Sequence, residues 1–405
     1  MKKLLGILLL GLLWCNTGNA GIKEPGKDPT CFKLGTIQFN KQVKIYLNVR
    51  QNIVFYIGCK DYSFETHRRT GPNIKENHKE GYKNCRKKAK KRGIEDCYLF
   101  SINDVIVWGK DVSYVNKISE ETKKKEKDPE FINKRTKAGA KANFIDTKPV
   151  SISEIAGWSH SCDKEDFIKH VGTVEGCIGI KKLGKIDKSK KKLVVFMGGD
   201  YKGKKPNNNP KTYSGFSKII KDQKDNINFF FLARPGHKFQ GRLRSAGKFK
   251  NFEIQNKILE RVQFKKGWEA NKLISQTLYK LKEFYQADKL IVIGFSGGSN
   301  DIGVINGKVP GLIDVAIMGG CDCYAGGGIS GQFWIPGHFI DTIDLKTKIV
   351  LITGEKDEYV WSADTYAKLS KKRGINAEAH VVKGEHDGRK TLLSYGKDIF
   401  KEALK

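Results

Sequence analysis

Proline and long apolar runs are both scarce in this chain of 405 residues. Ten prolines beside a 39% hydrophobic share exclude the core-poor composition of a disordered protein and point to globular packing. No apolar run after the first twenty residues is long enough to cross a bilayer, so the mature chain should hold no transmembrane segment. Acids are short as well, with 44 Asp and Glu against 75 Lys and Arg, a formal charge of +31. Such a field favours anionic partners, among them lipid head groups, wall polymers and nucleic acid. Lys far outnumbers Arg, and no Arg or aromatic stripe gathers. The charge therefore reads as solvated lysine faces, and a nucleic-acid module is not expected.

The one apolar run at the start has the shape of a signal peptide. Lys2 and Lys3 precede the apolar stretch from Leu4 to Trp14, and Gly18, Asn19 and Ala20 form a small-residue cleavage site. Cleavage after Ala20 would leave a mature chain beginning at Gly21, exported to the periplasm or beyond. Cys15 raises a lipoprotein reading, but Trp14 stands where a lipobox needs a small residue. Of nine cysteines, all but Cys15 remain after cleavage, an even number in an oxidising compartment. Spacing cannot fix their connectivity. Nearest-neighbour pairing would give Cys31–Cys59, Cys85–Cys97, Cys162–Cys177 and the tight pair Cys321–Cys323. Zinc at Cys321-Asp322-Cys323 is the rival reading. No second Cys pair or His-rich tract is placed to complete a tetrahedral site, so no metal is expected.

Two patterns divide the chain. Residues 31–110 mix strand-like runs (43–49, 52–58, and 97–109 turning at Asn103 and Asp104) with a basic helix over 74–93. They predict a small α+β module. Lys87, Lys88, Lys90 and Lys91 would let it touch anionic envelope material, or simply be solvated. Residues 111–150 are charge-dense and read as a linker, in part helical. From 151 to 405 strands alternate with helices. Strands are predicted at 192–199, 227–236, 289–294, 312–320, 348–354 and 377–384. Helices are predicted at 268–286, about 360–372, and 388–404. That alternation argues for a mostly parallel sheet covered on both faces.

In such a sheet, chemistry gathers at the carboxyl ends of strands. The spelling Gly294-Phe295-Ser296-Gly297-Gly298 follows the apolar run Leu290 to Ile293 and opens a helix. Glycines at 294 and 298 would permit a tight turn with the Ser296 hydroxyl exposed. Asp357 and His386 each follow a later strand. The chain order Ser, Asp, His is shared with the α/β-hydrolases.

Residues from about 190 onward resemble the α/β-hydrolase superfamily in strand order and in motifs. "GEKDEYV" looks like its acid loop, "KGEHDG" like its histidine loop and "VVFMGGD" like its oxyanion loop. "LARPGH" is similar to the small-residue turn after the next strand, and "GGCDC" to a C-x-C found in some exported bacterial hydrolases. The resemblance implies an α/β-hydrolase fold preceded by the small Cys-containing α+β module. It implies a nucleophilic Ser296, a base His386, an acid Asp357 and an oxyanion hole from Gly297 with Gly198 or Gly199. No cofactor is called for. Rivals remain at each place: Glu355 for the acid, His380 for the base, an ordinary loop serine at 296. His160, His170 and His338 lack a strand-end context, whereas His237 follows a strand end and would line the pocket. Phe295 also borders the pocket, and Phe333, Trp334 and Phe339 are either an acyl pocket or core. Asp301 and Asp387 read as helix-end or solvent carboxylates. The implied activity is an exported serine hydrolase acting on a small-molecule or lipid-like ester, resembling carboxylesterases or lipases. A serine peptidase of the same fold is one alternative. An envelope-binding protein with an inactive hydrolase domain is the other.

Overall fold

The computed structural model describes residues 25–40, 53–60, 63–69, 74–103, 105–125, 128–142, 145–185, 187–199, 215–219, 227–237, 245–247, 267–324 and 334–405. The expected signal peptide, the expected strand over 43–49 and Phe333 lie outside them. Among the described residues the chain divides into two compact units, one running to Arg135 and the other from Thr136 to Lys405.

The first unit is built around β1 (Val54–Lys60), which pairs antiparallel with β2 (Ser63–Arg69) on one side and β3 (Tyr98–Ile102) on the other. A short β4 (Val105–Ile106) completes the sheet. The continuous apolar run in β1 has a physical cause, because both of its faces are covered. Val54 and Tyr56 join Cys85 and Ala89 of α2 (Ile74–Lys90) in one core. Phe55 and Ile57 turn the other way, onto Cys31, Phe100 and Trp108 beside α1 (Pro29–Gln38). The charge-dense stretch expected as a linker contains α3 (Val112–Lys125) and α4 (Pro129–Ala142). Val115 of α3 is fully buried with Tyr56 and Leu99, and Ile118, one turn on, packs beside it. With Tyr114 beside them and Ser119 and Thr122 also buried, they dock a helix whose outer side is rich in Lys and Glu.

The second unit carries an eight-stranded sheet. Its strands are β5 (His170–Thr173), β6 (Gly176–Leu183), β7 (Lys192–Met197), β8 (Ile227–Leu232), β9 (Lys289–Phe295), β10 (Val315–Gly319), β11 (Lys348–Gly354) and β12 (Ala377–Val382). Their spatial order is β5-β6-β8-β7-β9-β10-β11-β12. From β8 to β12 all neighbours are parallel, and β5 and β6 form an antiparallel edge. This is the α/β-hydrolase fold. Leu290 to Ile293 in β9 are wholly buried, as a strand covered on both faces requires. The short α5 (Ile152–Ala156) precedes the sheet, and three longer helices follow their strands: α6 (Gly267–Phe284) after β8, α7 (Gly297–Lys308) after β9 and α8 (Val360–Lys372) after β11.

Two details were not read from the sequence. The β5–β6 hairpin escaped because Gly172, Gly176 and Gly179 interrupt its apolar pattern. The expected helix 388–404 is broken at Gly396, where a Cβ would lie 2.4 Å from the Thr391 carbonyl oxygen. The chain makes a wide turn over Thr391–Tyr395 there before the terminal helix α9 (Lys397–Ala403).

The eight cysteines after Cys15 pair as nearest neighbours: Cys31–Cys59, Cys85–Cys97, Cys162–Cys177 and Cys321–Cys323. The second ties α2 to the segment entering β3 and closes a loop of sequence separation 12. Mass mapping without reduction should recover these four pairs. Replacing Cys85 and Cys97 together by Ser should lower stability by about 2–4 kcal/mol, read by urea denaturation. Free thiols at these positions in oxidised protein would contradict the assignment.

Candidate active site

The register of the sheet decides what meets at its carboxyl edge. Gly294 of β9 stands between Met197 of β7 and Met318 of β10, and Phe295 stands beside Gly319. The next residues on the three strands are therefore Ser296, Gly198 and Gly320. Ser296 adopts φ 53° and ψ −121°, a conformation ordinary side chains avoid. Such a residue persists only when its surroundings over-determine it, at a cost on the order of 1–3 kcal/mol. They do. The Ser296 N–H donates to the Gly319 carbonyl at 2.8 Å, and its own carbonyl accepts from the Asn300 N–H at 3.1 Å, opening α7. A Cβ on Gly294 would lie 2.6 Å from the Gly298 carbonyl carbon. One on Gly298 would lie 2.5 Å from the Met197 carbonyl oxygen. Both glycines let the helix start pack directly on the strand ends, with the Ser296 turn between them.

His386 and Asp357 come to the same edge. The Nδ1 of His386 lies 2.7 Å from Oδ2 of Asp357. The Asp357 side chain is fully buried and its Oδ1 accepts from the Tyr359 N–H at 3.0 Å. The imidazole is one-third exposed. It lies against Phe295, with ring centres 4.8 Å apart, and edge-on to Tyr359 at 5.3 Å. It also covers Gly320, where a Cβ would come within 2.7 Å of its Cε1. Gly199 flanks the serine on the other side. A Cβ there would sit 2.9 Å from Ser296 Cβ and 3.5 Å from Oγ. Gly297 opens α7 immediately after the serine. An acceptor at Ser296 Oγ would thus find the start of a helix and a glycine strap around it.

The rival residues are elsewhere or otherwise engaged. Glu355 is exposed, on the wall of a cavity of about 570 Å³ that His386 also lines. His380 faces Glu378 at 3.0 Å from within β12. His160 lies 3.5 Å from Glu165, and His170 is on the edge strand β5. Burial pushes His338 down to about 3, which keeps it neutral. His237 is half-buried with Nδ1 3.2 Å from the Pro235 carbonyl. Trp334 and Phe339 belong to an apolar cluster with Ala140, Ile145 and Val304, and Trp334 stacks on Trp268. Asp387 caps a short turn by accepting from the Arg389 and Lys390 N–H groups. Asp301, expected as a helix-end or solvent carboxylate, is instead buried and holds the Arg234 guanidinium at 2.6 Å. α7 is buried from Gly298 to Lys308 save Asn300, so no face of it was left for a solvated carboxylate.

One group was missed. Asp322 stands inside the Cys321–Cys323 ring, two residues past Gly320. Its Oδ1 is closed to solvent and has no hydrogen-bond partner among the described residues. Burial, then the charges of Glu358 and Asp357, push its carboxyl up to about 7, with His386 acting in the opposite direction. Its spelling between two cysteines had suggested only a ring or a metal.

No protein-family model matches the chain, and no curated protein does. Solved structures similar to it include esterase PE8, 16% identical with a TM-score of 0.40, covering 56% of this chain and 96% of that one. Esterase Pf2001 of Pyrococcus furiosus is 12% identical with a TM-score of 0.42, over 64% and 96%. The Bacillus cereus carboxylesterase is 14% identical with a TM-score of 0.38, over 56% and 94%.

Two outcomes are expected at this edge. Asp357→Ala should lower turnover of an activated ester by about 10⁴, whereas Glu355→Ala should retain most of it. Comparable losses would reverse the choice of acid. For Asp322 the folded carboxyl titrates above its unfolded value, so the folded state holds the extra proton. Its contribution to stability is present below about pH 4 and is lost as pH rises to about 7. Asp322→Asn removes that dependence. The melting temperature of the variant relative to wild type should climb between about pH 4 and 7 and then level off; a constant difference would show that Asp322 titrates normally.

Proposed function

We propose that this protein is an exported serine hydrolase that cleaves carboxylic esters through an acyl-enzyme. The observation that carries the reading is Ser296, held at positive φ on the central strand's end, with the Asp357–His386 pair at the same sheet edge. His386 would take the Ser296 proton through Nε2 while Oγ bonds to the ester carbonyl carbon. Asp357, on Nδ1, keeps the imidazole in that tautomer and stabilises its protonated form. The tetrahedral oxyanion would be met by the N–H groups of Gly297 and Gly199, a donor of this kind contributing on the order of 3 kcal/mol. Collapse expels the alcohol, which receives the proton from His386. Water, deprotonated by the same His386, then attacks the acyl-serine, releasing the acid and restoring the hydroxyl.

A peptidase of the same fold would use the same groups, and panels of p-nitrophenyl esters and aminoacyl anilides separate the two. Export rests on the signal-peptide spelling of residues 1–20 together with the four disulfides. A fluorophosphonate probe should label the folded protein at Ser296 and leave Ser296→Ala unlabelled. Equal labelling of both would end the nucleophile assignment, and no labelling of either would favour the non-catalytic reading.

A further inference from the structure

The Arg234–Asp301 pair is buried beneath the candidate site, 5% and 3% exposed. Its Nε donates to Asp301 Oδ2 at 2.6 Å, and Nη1 donates to the Gly198 carbonyl at 3.4 Å. Burying such a pair seldom gains stability over apolar residues of the same size. What it touches is more telling. Arg234 follows the end of β8, Asp301 lies on α7 five residues past Ser296, and Gly198 opens the strap beside the Ser296 hydroxyl.

The carbonyl of Gly198 and the N–H of Gly199 belong to one planar peptide unit and point in opposite directions. Fixing the carbonyl on one side aims the N–H on the other. Two successive glycines leave that plane little local preference of their own. A tether from outside must therefore set it. The tether here is anchored on the helix that begins at the serine, so the strap and the nucleophile share one frame.

Building on the hydrolase reading, we infer that Arg234 is a positioning residue for the oxyanion hole: held by Asp301, it orients the Gly198–Gly199 peptide so that the Gly199 N–H faces the carbonyl oxygen of the bound ester. It touches neither substrate nor nucleophile. Its effect should fall on the transition state and spare ground-state binding.

The test compares wild type, Arg234→Lys and Asp301→Asn on an activated ester and on the matching thionoester, whose carbonyl oxygen is replaced by sulfur. Sulfur is a weak acceptor, so a well-aimed donor penalises the thionoester and a misaimed one does not. Both variants should lose turnover about ten- to hundredfold, somewhat less than deleting a donor outright, with KM held within about threefold. The oxygen-to-sulfur preference should shrink about tenfold in each. A merely structural lesion would lower both rates together. If a single variant does not fold, the apolar double replacement Arg234→Met with Asp301→Leu restores packing, and its oxygen-to-sulfur preference decides in the same way. Folded variants that keep the wild-type preference overturn the inference, whatever their turnover. Wild-type protein that neither turns over an ester nor reacts with a fluorophosphonate removes the hydrolase reading and this inference with it. Active wild type with unchanged preference in the variants removes only the role of Arg234.

Discussion

The closeness of α7 to the strand ends is the constraint on which the candidate site depends. A helix can begin immediately after β9 only if nothing projects from the backbone at 294 and 298, where Cβ atoms would meet backbone at 2.6 and 2.5 Å. With those two glycines in place, the single residue between strand and helix must reverse the chain by itself, and Ser296 does so at φ 53°. The strain is sustained because the serine's N–H and carbonyl are both bonded, to Gly319 and Asn300. The flanking glycines at 199 and 320 follow from the same crowding. Each lies beside a side chain of the candidate site, one against Ser296 and one under His386.

Two aspartates near the imidazole show how partners decide a buried carboxyl's behaviour. Asp357 is buried with both oxygens bonded, one to the imidazole and one to the Tyr359 N–H. Burial thus leaves neither of its oxygens without a partner. Asp322 is held by its disulfide ring among Asp357 and Glu358 with an oxygen that finds no donor, and it retains its proton to about pH 7. A second full negative charge at this spot would compete with Asp357 for the field of His386. Below about pH 7 the Asp322 proton removes most of that charge, and Asp357 is the carboxyl bonded to the imidazole.

Legibility from sequence followed the physics of each element. Strands buried on both faces announced themselves as unbroken apolar runs, so Lys348–Gly354 was read to the residue, and the helix expected at about 360–372 spans Val360–Lys372. The tight turn at Ser296 was legible because its glycines reflect local backbone demands. What depended on long-range packing was not. Asp301 looked like a solvent carboxylate because its partner Arg234 is far off in sequence, and nothing local distinguishes a paired aspartate from a free one. The docking of α3 was hard to read because its apolar side is only Tyr114, Val115 and Ile118 wide. The β5–β6 hairpin was hidden because edge strands tolerate the glycines that blur alternation.

The candidate acyl pocket shows where aromatic residues mislead. Trp334 and Phe339 were read as either pocket or core, and they lie in a cluster with Val304 and Ile145, stacked on Trp268. The described cavity that His386 does line has walls of a different kind, with Glu355, Glu358 and Glu385 alternating with Lys356, Lys383 and Lys390. Charged walls of both signs keep their water unless a ligand offers hydrogen bonds in return. On this side of the imidazole the described cavity wall is therefore mainly charged, while Trp334 and Phe339 take the place that the core alternative gave them.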